Sequence, residues 1–203
     1  MAIVSDPLVL IAVLLGSYLL GSLSTAIIVC RLMGLPDPRT TGSQNPGATN
    51  VLRSGSKVAA GLTLLGDSLK GLLAVLVARA LSDEAAVLSA AAGGAFLGHL
   101  FPVYFRFRGG KGVATAFGAV FGLSWITGAL GLLTWLTMTL TFRVSSLSAL
   151  ISFTLIPVYY WLVEGRAFIT VVLALLSLML FWRHRENLRR LLRGEESRVG
   201  SRG

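Results

Sequence analysis

The chain has 203 residues, of which 54% are hydrophobic and only 13% charged, with a mean hydropathy of +0.77. A soluble domain carries roughly 25% charged residues, so this balance excludes a sizeable soluble domain and points to a single all-α, polytopic membrane domain over residues 1–203. The net charge of +9 is gathered into a few polar blocks and the C-terminus, as expected of cytoplasmic loops, rather than spread as a nucleic-acid-binding surface.

The first apolar run, Leu8–Cys30, has no Lys or Arg before Arg31, so it reads as a retained span rather than a cleaved signal peptide. Its Cys30 is the sole cysteine, which excludes an internal disulfide, and no Cys/His spacing points to a metal. Further spans are expected at Val58–Ala80, Ala86–Tyr104, Leu147–Val163 and Ala167–Trp182. Between them, Gly112–Phe142 would measure roughly 46 Å as one helix, against a hydrocarbon core of about 30 Å. It is either one overlong helix or two short ones turning near Ser124–Gly128.

Charge decides between them. Arg31, Arg39, Arg53 and Lys57 follow the first span, and the tail carries Arg183, Arg185, Arg189, Arg190, Arg193, Arg198 and Arg202. Both belong in the cytoplasm by the positive-inside rule. An outside N-terminus and a cytoplasmic C-terminus need an odd number of spans, so a seven-transmembrane-helix bundle is expected. Arg79 and Arg166 are then the only external basic residues. Gly94-x-x-x-Gly98 and Gly118-x-x-x-Gly122 would let helices pack closely, within the bundle or between two copies.

This topology puts three polar blocks and the turn Arg143–Ser148 on one face. Gly42–Arg53 offers Gly47 and flanking turn residues whose backbone amides can line an anion site. Its Ser43, Asn45, Thr49 and Asn50 add hydrogen-bonding groups, and Arg53 adds a fork suited to phosphate. The second block reads Arg106-Phe107-Arg108-Gly109-Gly110-Lys111-Gly112 and opens an apolar helix, a place where backbone amides attract phosphate. It is not a Walker A loop, because Phe105 and Gly112 stand where that motif needs Gly and Ser or Thr. Lys111 is the ligand candidate; Arg106 and Arg108 fit headgroup anchoring.

The third block continues the last helix, with His184 and Asn187 three residues apart on one face. His184 is either a general base or a partner for a helix-end carbonyl. Asp67 and Lys70, also three apart, lie inside the second span, where charges are paired or functional. His99 ends the third span and is placed to hold the second block.

These blocks resemble those of the bacterial acyl-phosphate:glycerol-3-phosphate acyltransferases, the PlsY family, in order and spacing over nearly the whole chain. The matching patterns are G-S-x-N-x-G-A-T-N-x-x-R, then H-x-F-P with F-[RK]-G-G-K-G-V-A-T, then H-R-E-N-x-x-R-L. The chain departs at Gln44, where the family usually has Gly, and at Val144-Ser145-Ser146, where an aromatic-Val-Ser run is common. The functional serine of that turn is Ser145 or Ser146; Ser146, followed by Leu147 and Ser148, is preferred.

The resemblance implies acyl transfer from a fatty acyl phosphate to the 1-hydroxyl of sn-glycerol 3-phosphate, giving lysophosphatidate and phosphate without a cofactor, at the cytoplasmic side of the bacterial inner membrane. Implied roles follow residue by residue. Ser43, Arg53, His184 and Asn187 are catalytic. Asn45, Gly47, Thr49, Asn50, Gly109, Gly110, Lys111, Gly112, Ser146 and Ser148 bind substrate and its phosphates, while Asp67, Lys70, His99 and Glu186 support them. His184 positions or deprotonates the attacking hydroxyl, or a substrate phosphate takes that proton. The implied partners are membrane lipids and, transiently, a soluble acyl-phosphate-forming enzyme, with no nucleic acid. An organophosphate transporter would also suit Asp67 and Lys70, and an anionic-lipid scaffold would suit the basic tail.

Overall fold

The computed structural model describes residues 6–54 and 56–199, and all regular structure among them is helical. The first apolar run is not one helix. It divides into α1 (Pro7–Gly21) and α2 (Thr25–Leu32), broken at Ser22–Ser24. Proline at the first turn and the Asp6 carboxylate, which accepts from the Leu8 amide at 2.9 Å, start α1. The break exposes the Leu23 carbonyl, and Lys70 donates to it at 2.7 Å; a buried helix end needs such a partner.

A short α3 (Ala48–Arg53) lies within the first polar block, followed by α4 (Lys57–Leu81) and α5 (Ala85–Leu100). The third expected span, Ala86–Tyr104, agrees with a candidate span over Ala85–Phe105, within which the regular helix α5 ends at Leu100. Pro102 breaks it, and a single 3-10 turn follows at Val103–Phe105. The ambiguous stretch is two helices, α6 (Val113–Leu123) and α7 (Trp125–Phe142), and Ser124 alone makes the break. Its extended backbone ends α6, and its side chain accepts from the Thr127 amide at 3.3 Å to cap α7. Gly128, expected in the turn, lies inside α7. The chain continues through α8 (Ser145–Glu164), α9 (Ala167–Arg183) and α10 (Arg185–Leu192). The third block does not simply extend the last span, because α10 bends away from α9 by 62° at His184.

Five segments among the described residues are long and apolar enough to cross a membrane: α1 with α2, α4, α5 with its 3-10 turn, α7 and α8. The bent pair α9 with α10 makes a sixth candidate, and α6 is shorter, at 11 residues. Large apolar side chains face outward, as at Leu8, Leu65, Val77, Leu133 and Leu178. Small and hydroxyl-bearing residues such as Thr63, Ala91, Ser152 and Ser177 turn inward. Association in lipid rests on close packing rather than on burying oil, and it favours this arrangement.

Both glycine pairs work inside the chain. Gly94 and Gly98 sit against α1, where a Cβ on Gly98 would lie 2.2 Å from the Tyr18 carbonyl oxygen. Gly118 and Gly122 sit against α4, with Gly71 of α4 equally close to the Thr115 carbonyl of α6.

The turns after α4, α6 and α8 meet at one end of the bundle. Arg79 donates to the Leu123 carbonyl at 2.8 Å, and Arg166 donates to the Asp83 carbonyl at 2.6 Å. The polar blocks gather away from that end. Because α6 is about 16 Å long, the turn that feeds it is drawn inward, and Gly109, Gly110 and Gly112 are all buried.

Candidate active site

The first block is a loop shaped by one buried amide. Asn50, 4% exposed, donates from Nδ2 to the carbonyls of Pro38 at 2.8 Å and Thr41 at 3.0 Å, while its Oδ1 accepts from the Ser43 amide at 2.9 Å. The loop therefore wraps around Asn50 and presents Ser43 outward, on its exposed rim. Gln44 has φ 55°, in the left-handed region, where a side chain costs roughly 1–2 kcal/mol and glycine does not. That is the physical reason a glycine suits this place.

The second block is gripped from both sides. The Gly110 amide donates to the His99 carbonyl at 3.1 Å. Arg183, at the end of α9, donates to the carbonyls of Gly109 at 2.8 Å and Gly110 at 2.9 Å. A Cβ at Gly110 would fall 2.2 Å from His99 Nε2 and 3.0 Å from the Pro46 carbonyl oxygen, so this turn packs directly on both α5 and the first block. Beneath it lies a buried charge cluster. Asp67 Oδ1 is 2.8 Å from Lys70 Nζ and 3.6 Å from His99 Nδ1. One carboxylate thus links the glycine turn, through His99, to the α1–α2 break, through Lys70.

The third block closes on the second. Lys111 Nζ donates to Asn187 Oδ1 in a short contact. Asn187 Nδ2 donates to Glu196 Oε1 at 2.5 Å, and Ser146 Oγ donates to the same oxygen at 2.7 Å. Arg190 Nε donates to Glu196 Oε2 at 2.7 Å. The hydroxyls of Thr49 and Ser145 lie 3.4 Å apart, joining the first block to the α7–α8 turn.

Burial pulls the Lys111 ammonium down to about 8; Glu196 opposes this, while Arg190, Arg183 and Arg53 add to it. The field of Arg53 thus reaches Lys111 from the first block. His184 is 3% exposed, and burial and then the Lys111 charge lower it to about 4, so its ring is neutral at physiological pH. Its Nδ1 lies 2.8 Å from the Leu180 carbonyl oxygen. A carbonyl only accepts, so Nδ1 carries the proton and Nε2 is left as an acceptor. Burial pushes the Glu196 carboxyl up, but hydrogen bonds from Asn187, Ser146 and Arg190 outweigh it and hold the group below the usual carboxylate range.

Lys111, Ser146 and Asn187 thus meet in one cluster, with Arg53 in electrostatic reach and the Gly109–Gly110 turn fixed alongside by Arg183. Thr49 joins through Ser145, and the half-buried Asn45 and Gly47 share its loop. Gly112 opens α6 at φ 86° against the Phe96 ring. Three expected residues sit elsewhere. Asn50 is consumed as a brace for the Ser43 loop. Ser148 is fully buried, donating to the Val144 carbonyl at 3.0 Å and accepting from Thr139 at 2.9 Å. Glu186 is exposed and pairs with Arg189 at 2.7 Å. His184 and Asn187 are both buried, at 3% and 5% exposure, although α10 bends away from α9 at His184.

Sequence reasoning missed Arg183 and Glu196. The second had a signal: Gly194, a helix stop, followed by two acids in an otherwise basic tail. Apart from this cluster, open cavities of about 390 and 400 Å3 share Asp37, Arg39, Tyr104 and Phe105. Arg106 and Arg108 line the first of them.

Comparison with known proteins follows the same residues. A family model described as glycerol-3-phosphate acyltransferase matches residues 11–194. The glycerol-3-phosphate acyltransferase of Thioalkalivibrio sulfidiphilus is 59% identical over 190 residues, covering 94% of each chain. That of Methylococcus capsulatus is 53% identical over 185 residues, covering 91% of this chain and 93% of its own. Among solved structures, PlsY, an integral membrane glycerol 3-phosphate acyltransferase, matches in its glycerol 3-phosphate form with a TM-score of 0.89 and 34% identity, covering 94% of this chain and 96% of its own. Its lysophosphatidic acid form matches with a TM-score of 0.87 and 33% identity, covering 94% of this chain and 95% of its own.

Proposed function

The chain belongs to the glycerol-3-phosphate acyltransferase family, and we propose that it passes a fatty acyl group from acyl phosphate to the 1-hydroxyl of sn-glycerol 3-phosphate, giving lysophosphatidate and inorganic phosphate. It would thereby perform the first acylation of bacterial phospholipid synthesis. The observation that carries this reading is the convergence of the polar blocks on Lys111, with Asn187, Arg190 and Ser146 around it and the arginine-held glycine turn beside it. Two phosphate-bearing substrates need such a cationic, donor-rich cluster. The apolar outer surface suits a fatty tail. PlsY, at 34% identity, has been solved in glycerol 3-phosphate and lysophosphatidic acid forms, which supports the same substrate and product here.

The bundle crosses the bacterial inner membrane seven times, with α1 and α2 as one span and α4 to α9 as the others. The N-terminus lies outside, and the site and C-terminus are cytoplasmic. Two observations support this: the turns after α4, α6 and α8 share one end, and the cations gather at the blocks.

The hydroxyl oxygen attacks the acyl carbonyl carbon, and the bond from that carbon to the phosphate oxygen breaks. Lys111, Arg53 and the buried glycine amides stabilise the charge that moves onto the carbonyl oxygen and the departing phosphate. Ser43 and Ser146 orient the phosphates, and Asn187 orients the glycerol backbone. A His184 lowered to about 4 is a weak base, so its Nε2 accepts from the attacking hydroxyl and orients it. The proton passes to a substrate phosphate, whose second pKa is about 6.

A transporter is disfavoured, because Lys70 is held between the Asp67 carboxylate and the Leu23 carbonyl, at 2.8 and 2.7 Å. Purified protein in detergent micelles, given labelled glycerol 3-phosphate and palmitoyl phosphate, is expected to make lysophosphatidate. Ser43→Ala and Arg53→Ala should abolish product with the fold intact. Folded protein that makes no product refutes the enzyme, and uptake of label into sealed vesicles would establish the transporter.

A further inference from the structure

Resting on the acyl-transfer reading above, we propose that Glu196 is a positioning residue of the active site: it decides which end of the Asn187 amide meets Lys111 and draws the C-terminal segment over the cationic cluster.

Glu196 stands beyond the end of α10, in a stretch where a solvated carboxylate would be expected. Its side chain is instead 5% exposed, and both oxygens are used. Oε1 accepts from Ser146 and Asn187, and Oε2 accepts from Arg190. One carboxylate thus ties the start of α8 to two positions of α10. The chain is brought back to it by a left-handed turn. Gly194 has φ 69°, its amide donates to the Leu191 carbonyl at 3.1 Å, and the Glu195 amide donates to the Arg190 carbonyl at 2.8 Å. These are the two bonds of a Schellman cap. Beyond Glu196 the segment is pinned again, as the Val199 amide donates to the Arg143 carbonyl at 2.6 Å.

The amide of Asn187 has one donor end and one acceptor end. The carboxylate of Glu196 can only accept, so it holds the donor end. That leaves Oδ1 for Lys111, an ammonium that can only donate. Without the carboxylate only Lys111 itself opposes the flipped amide, in which two donors would face each other, and the donor end of Asn187 is left without its acceptor. Glu196 is also the acidic group acting on Lys111, against Arg53, Arg183 and Arg190. His184 faces Lys111 as well but is neutral. Removing the negative charge leaves Lys111 among cations alone, and its ammonium gives up its proton at lower pH.

The test measures kcat and KM for glycerol 3-phosphate with palmitoyl phosphate across pH for the full chain and for Glu196→Gln and Glu196→Asp. In the wild type, kcat/KM is expected to fall as pH rises through about 8, as Lys111 is neutralised. Glu196→Gln keeps one acceptor for Asn187 and Ser146 but turns a donor toward Arg190. It should raise KM about tenfold, a loss of one bond to a charged group, and move the alkaline limb to lower pH. Glu196→Asp, with the charge retained, should return the limb toward the wild-type position. If Glu196→Gln does not purify folded, Gly194→Ala, which strains the turn without touching a charge, should shift the limb in the same direction by less.

A limb that stays in place while only the melting midpoint falls would make Glu196 merely structural and overturn the proposal. A fall in KM would also overturn it, by showing that the carboxylate competes with substrate phosphate. Wild-type protein that makes no lysophosphatidate at any pH would refute the acyl-transfer reading itself, a separate outcome.

Discussion

The closest backbone approach between α4 and the helix that carries the glycine turn can be tested with one methyl group. A Cβ on Gly118 would sit 1.9 Å from the Ser68 carbonyl oxygen, 2.8 Å from its carbon and 3.0 Å from the Leu72 nitrogen. All three are backbone atoms, so no side chain can swing aside. Ordinary contact begins near 3.4 Å, and α6 must therefore move outward by about 1.5 Å. Overpacking of this kind costs about 1–3 kcal/mol. Lys111 lies two residues before α6 begins, so the displacement reaches it, and a misplacement of about 1 Å costs on the order of 100-fold in rate. Gly118→Ala should therefore lower both the melting midpoint in detergent and kcat/KM. Gly61→Ala, on α4 with nothing within 4 Å of its would-be Cβ, is the matched control and should stabilise by roughly 0.5–1 kcal/mol. If Gly118→Ala melts and turns over like Gly61→Ala, the close approach has no role in placing the site.

Asp67→Asn strands the Lys70 ammonium in the bundle and should cost about 3–5 kcal/mol of stability; Asp67→Leu with Lys70→Met should recover part of that in the same melting assay. Replacing His184 by Ala should leave no missing step near pH 6.5 in the kcat/KM profile, because its ring is already neutral well below that; loss of such a step would contradict its role as an acceptor. Asn50→Ala unpairs two carbonyls and an amide around the Ser43 loop, at about 1–3 kcal/mol for each group left buried. It should raise KM for glycerol 3-phosphate although Ser43 is unchanged. Asn50→Asp can still accept from Ser43 but donates to neither Pro38 nor Thr41, so it should rescue only partly.

The spans, the blocks and the lysine between glycines were legible because each rests on local pattern: apolar runs near bilayer length, charge clusters, glycine turns. The breaks within spans were less so. Nothing local distinguishes Ser22–Ser24 from other helical serines; the break is stabilised by Lys70, 47 positions away. The split near Ser124 was expected from charge, since length alone allowed one overlong helix and basic residues at both ends of the chain asked for an odd number of spans. The fates of Asn50 and Ser148 turn on burial, which composition does not reveal: a polar residue in a polar block reads as a ligand until its partners are seen. Glu196 was hidden for the opposite reason, as a carboxylate in a basic tail that reads as solvated until the tail folds back.

The most direct measurement follows the donor. Purified protein in detergent micelles is offered palmitoyl phosphate, palmitoyl-CoA or palmitoyl-acyl carrier protein, each with labelled glycerol 3-phosphate, and lysophosphatidate and free phosphate are counted together. Palmitoyl phosphate alone is expected to support product, with one phosphate released per lysophosphatidate formed. Product from a thioester donor with no phosphate released would contradict the account.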